Sequence, residues 1–174
     1  AMMATLCVSM SFAEDPTDPD DANLVKYLEV AEGVSVPKVT FTYTFADNMG
    51  ASSNVNATEL ATANPGTQTI VFNDATNEGT QGTTVAADGA SVYKAVPLKP
   101  LGTFTHAGVY AYTVTETSYA FDPADSNKTI VQNPDNKSYI VRYVVKNVDG
   151  TPTVTGVTVQ DATTQEKVDA TTED

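Results

Sequence analysis

Alternation is the feature that most restricts this chain. Val39-Thr40-Phe41-Thr42-Tyr43-Thr44-Phe45 places an apolar residue at every second position, with threonine between. A period of two sends successive side chains to opposite faces, so the run fits a half-buried β-strand and no helix. Shorter runs of β-type residues follow the same logic at 24–30, 69–72, 91–96, 103–105, 109–117, 139–146 and 153–159. Val148-Asp149-Gly150-Thr151 reads as a two-residue hairpin turn, because Asp-Gly tolerates the positive φ angles of a type I′ turn. The polar stretches 47–68 and 73–90 read as long loops, with a short helical turn near 58–63. Many short strands at this spacing predict an all-β fold, an antiparallel β-sandwich, in one domain.

Charge and the N-terminal segment bear on where such a domain works. The formal net charge of −13 opposes binding to nucleic acid or an anionic membrane surface, since phosphates are repelled. Residues 1–13 carry no charge and end in Ser11-Phe12-Ala13, directly before the acidic run that opens with Glu14-Asp15-Pro16. This is the pattern of the back half of a secretory leader, with cleavage expected after Ala13. The alternative is a short buried strand or helix. On the leader reading, 1–13 is a signal-peptide remnant, 14–22 an acidic linker, and 23–174 a single exported β domain. The only cysteine, Cys7, falls in the leader, so the mature domain would have no disulfide to stabilise it.

Strand phase sets two charged residues apart. Lys26 is in phase with Leu24, Leu28 and Val30, and Glu116 with Tyr110, Tyr112 and Val114. Each therefore falls on a face that should point into a core. Two readings compete. In one, the lysine snorkels at a sheet edge and the glutamate sits wet at a strand end. In the other, both are buried, where an isolated charge is costly and neutralisation or pairing relieves it. An uncharged lysine amine is a nucleophile, and a protonated glutamic acid can polarise an amide carbonyl.

Two stretches resemble the streptococcal pilin isopeptide-linkage domain. One is Leu24-Val25-Lys26-Tyr27-Leu28-Glu29-Val30 with Pro37 and the strand from Thr40 to Phe45. The other is Gly108-Val109-Tyr110-Ala111-Tyr112-Thr113-Val114-Thr115-Glu116, which is similar to the family's G-x-Y-x-Y-x-x-x-E motif. The resemblance runs over most of residues 23–160 and favours the buried reading. It implies an immunoglobulin-like, CnaB-type sandwich in a pilus or surface protein of a Gram-positive bacterium, secreted and held at the cell wall. It also implies an isopeptide bond from Lys26, the amine, to an asparagine or aspartate of the last strand, with Glu116 as the assisting acid. The family's final F-x-N strand is not visible here. Asn147, in phase with Tyr139, Val141, Tyr143 and Val145, is one substitute acceptor, and Asp174 is another. The reading preferred over both is that the chain stops before its final strand. Partners on this view are neighbouring pilin or surface-protein domains; the rival role is an adhesin whose loops engage a host protein or glycan.

The remaining residues suggest no enzyme beyond this self-directed cross-link. His106 stands alone and reads as a surface loop residue. The acidic runs lack calcium-loop spacing, and no phosphate-cradling, zinc or nucleophile-elbow motif occurs, so neither cofactor nor metal is expected.

Overall fold

The structure, a computed structural model, describes residues 2–9, 19, 22–31, 37–72, 81–86, 89–98, 102–132 and 138–166. Ten strands form two five-stranded sheets. They are β1 (Met2–Ser9), β2 (Asn23–Ala31), β3 (Val39–Asp47), β4 (Thr67–Phe72), β5 (Gln81–Ala86), β6 (Gly89–Pro97), β7 (Gly108–Phe121), β8 (Ile130–Gln132), β9 (Ser138–Val148) and β10 (Thr151–Asp161). One sheet runs β5-β6-β2-β1-β8 and the other β10-β9-β7-β3-β4. Among the described pairs all are antiparallel except β1 with β8. The all-β, mostly antiparallel class expected from the alternation is what forms.

One core joins the sheets. Leu24 and Leu28 of β2 meet Phe41, Tyr43 and Phe45 of β3, Ile70 and Phe72 of β4, and Tyr110, Tyr112 and Val114 of β7. In β3 the buried positions are the odd-numbered ones, and the threonines between them are only half-covered. Burying each such aliphatic or aromatic side chain is worth about 1.5–3 kcal/mol, so phase fixes which face turns inward. The Asp149-Gly150 turn has φ of 49° and 81°, as a type I′ hairpin requires.

Several expectations change. Residues 103–105 are not a strand: the backbone is irregular there, and Phe104 stacks edge-on against Tyr110 at 4.8 Å. The 47–68 loop contains a 3₁₀ turn, Met49–Ala51, and a helix α1, Ala57–Ala63. Asn56 and Glu59 close a capping box on α1, and Leu60 and Ala63 bury its inner face. The strands β5 and β8 fall in stretches without an alternating apolar pattern. Met2–Ser9, inside the segment that reads as a leader, is seated as β1 between β2 and β8.

Candidate functional site

Lys26 and Glu116 meet in the core between the two sheets. The Lys26 Nζ lies 2.6 Å from Glu116 Oε2, with the side chains 0% and 4% exposed. Lys26 sits at the middle of β2, flanked on its own face by buried Leu24 and Leu28. Its Nζ also stands 4.5 Å above the centre of the Phe41 ring, whose negative face attracts a cation.

A β-bulge delivers Glu116. Between β3 and β7, Thr42 pairs with Ser118 but Tyr43 pairs with Glu116, so Thr117 is the extra residue. Up to Glu116 the inward phase of β7 holds at Tyr110, Tyr112 and Val114; beyond it, 117–120 are exposed. Bulges bend a strand and re-aim its side chains, and this one ends the buried run on a carboxylate.

Tyr43 completes the contact. Its hydroxyl donates to the same Glu116 Oε2 at 3.1 Å. Burial, and after it the nearby Glu116 charge, hold the Tyr43 phenol well above the usual range, so it remains a donor. Oε2 therefore accepts from both Lys26 and Tyr43. Sequence phase places Tyr43 in the core but gives no hint of this role; the signal is its position directly opposite Glu116, which depends on the bulge.

The arrangement can move a proton. Across 2.6 Å, transfer from Nζ to Oε2 converts an ion pair into an amine and a carboxylic acid. The amine is then a nucleophile, and the acid can polarise a carbonyl brought beside it.

No such carbonyl comes from the expected acceptors. Asn147 is exposed, because the inward phase of β9 ends at Val145 and the hairpin runs on past the core. Ser138, at the other end of β9, pairs with Thr115 beside Glu116. The nine residue steps from 138 to 147, at about 3.3 Å each, put Asn147 roughly 30 Å from the site. Asp174 lies outside the described residues. The other buried polar side chains with a carbonyl or carboxyl, among the described residues, are Gln68 and Asp161. Gln68 lies opposite Tyr43 on β4, and its Oε1 meets no hydrogen-bond partner. Asp161 is on β10, where its Oδ1 accepts from the Thr163 and Thr164 amides at 2.7 and 3.0 Å.

A second polar cluster ties α1 to the approach to β7. His106 Nε2 is 2.9 Å from Glu59 Oε1, and His106 Nδ1 is 2.8 Å from the Ala107 carbonyl. Both ring nitrogens face acceptors, so protonation satisfies both. The Ala107 carbonyl and then Glu59 hold His106 above the usual imidazole range. The Asn56 amide and then His106 hold Glu59 below the usual carboxylate range. This histidine is thus a tether between loop and helix. Among the described residues no group of three or more His, Cys, Asp and Glu side chains converges as a metal site would need. Comparison with family models, with curated proteins and with solved structures returns no match.

Proposed function

We propose that the chain is a structural module of a Gram-positive pilus or surface protein, an immunoglobulin-like CnaB-type sandwich closed by an isopeptide bond from Lys26. The observation that carries this reading is the buried 2.6 Å contact between Lys26 and Glu116, joining strands 90 residues apart in sequence. A lysine taken wholly out of water is expensive, and replacing it together with Glu116 by apolar residues would cost little. Its retention beside the Glu116 carboxylate, with the Tyr43 hydroxyl steadying that carboxylate, suits chemistry better than stability. Lys26 acts as the amine and Glu116 as the proton carrier. The acceptor is an Asn or Asp outside the described residues. The leader reading of 1–13 agrees with export, and a covalent strut compensates for the missing disulfide.

Such a module resists extension. A bond from Lys26 to an acceptor beyond Glu166 encloses about 140 residues, which unfolded would add on the order of 480 Å. Single-molecule pulling on the full-length gene product should show no extension of that size, whereas Lys26→Ala should release it. Release of the same length in both proteins would refute the structural role.

A further inference from the structure

The segment that reads as a leader stands inside a sheet. β1 pairs antiparallel with β2 over seven positions, from Met3 opposite Glu29 to Ser9 opposite Asn23, and parallel with β8 at Met2, Met3 and Ala4. Among the described residues it is the one sheet partner of β8. Cleavage after Ala13 would therefore take away a strand with neighbours on both edges. β2 is no surface strand, since Leu24, Lys26 and Leu28 are each 0–1% exposed. Backbone N–H and C=O groups in such a strand need partners, and an opened edge is a template for a further strand. The rest of the chain is a poor source of one. Every described strand already pairs within its sheet, and residues 14–21 hold five acidic residues and two prolines, which suit no central ladder.

We infer that the interval between β2 and β8 is a strand-acceptor site, that β1 holds it before cleavage, and that an extended strand of a neighbouring protein chain fills it afterwards. The inference rests on the leader reading of 1–13 and makes no use of amide formation at Lys26. β1 itself shows the chemistry of the guest. Met2-Met3-Ala4-Thr5-Leu6-Cys7-Val8-Ser9 has no charge and no proline, so each residue offers both ladder groups and none adds to a net charge of −13. The guest is then an uncharged segment of about eight residues, antiparallel to β2 and parallel to β8. Recognition runs through main-chain hydrogen bonds, as when a peptide augments a sheet edge, so strand character matters more than one sequence. In a pilus or surface protein this gives each module a noncovalent hold on its neighbour.

The test uses the whole chain, folded and then cut at a protease site inserted between Ala13 and Glu14. The probe is a fluorescein-labelled peptide of residues 1–13. On gel filtration it should elute with the cut chain, one per chain, by exchange with the resident strand, and not with the uncut chain. The same peptide carrying Leu6→Pro and Cys7→Pro should not bind, because one of two successive residues turns its N–H to β2 and proline has none. With the cut strand washed out, amide exchange across Asn23–Glu29 should quicken, and added peptide should slow it again. Should the washed chain unfold, by circular dichroism, the peptide should restore the fold; failure to restore it would overturn the inference. A folded cut chain that takes no label, or equal labelling of the uncut chain, would overturn it too. So would β2 amides as protected without peptide as in the uncut chain, because the sheet would then have closed on itself. Mass analysis of the exported protein tests the leader reading separately. A chain beginning at Glu14 is expected, and retention of 1–13 would overturn the leader reading and the inference with it, leaving the Lys26 cross-link to its own test.

Discussion

A double-mutant cycle on Lys26 and Glu116 measures how tightly the two are coupled. Glu116→Leu removes the carboxylate that Lys26 meets at 2.6 Å, leaving an amine that is 0% exposed without its countercharge. Breaking a buried pair from one side costs about 3–5 kcal/mol. Lys26→Met, which keeps the length and the apolar stem, should cost a similar amount by stranding Glu116. The double variant Lys26→Met/Glu116→Leu removes both charges of this pair. The Tyr43 hydroxyl then loses its acceptor, a penalty of about 1–3 kcal/mol. The double variant should therefore be more stable than at least one of its parents. Urea unfolding gives each stability from the midpoint and slope. For a domain of this size each kcal/mol is about 2–4 °C, so the singles should melt roughly 6–20 °C below the parent. Singles that each cost less than about 1 kcal/mol, with costs that simply add, would mean that both groups are solvated. That result would refute the buried-pair geometry on which the proposed chemistry depends.

Other perturbations test the surroundings of the pair. Tyr43→Phe keeps the ring and removes the donor to Glu116 Oε2, so it should cost about 1–2 kcal/mol by urea titration. Gly102→Ala would place a Cβ 2.4 Å from the Ala63 carbonyl oxygen, which is backbone and cannot yield cheaply. It should cost about 1–3 kcal/mol and loosen α1, visible as faster amide exchange across 57–63. The tether of His106 to Glu59 predicts a pH dependence. His106 is held above its ordinary value, so its contribution is complete below that value and is lost as pH rises just above it. Glu59 is held below its ordinary value, so its share is present above that value and is lost as pH falls beneath it. The melting-temperature advantage of the parent over His106→Gln should shrink between about pH 6 and pH 8; an advantage constant across that range would contradict the tether.

The sequence made the core legible where one face is apolar and the other is not. The alternation in 39–45 and the in-phase tyrosines and valines of β7 and β9 identified the inward positions, Glu116 among them. Lys26 was legible in the same way, because a lysine between two leucines in phase has no apolar excuse. What alternation could not show is partnership across sheets: that Lys26 meets Glu116, or that Tyr43 shares the acceptor, depends on how the sheets stack and on the bulge at Thr117. Asn147 shares the inward phase of β9 yet is exposed, because phase alone does not say where a strand leaves the core. The helix α1 was foreseen only as a turn, since its seven residues hold too few apolar positions to display a period. The strands β5 and β8 contain no alternation strong enough to separate them from loops; their pairing partners make them strands.

The central claim is that Lys26 forms an amide. Tryptic mapping of the full-length gene product by mass spectrometry tests it most directly, because trypsin cannot cleave after a lysine whose amine is acylated. The account predicts a branched peptide in which the segment around Lys26 is joined to one carrying Asn or Asp. That peptide should be about 17 or 18 Da below the sum of its parts and should be absent from Glu116→Ala. A linear peptide ending cleanly at Lys26, recovered in full from the folded protein, would contradict it.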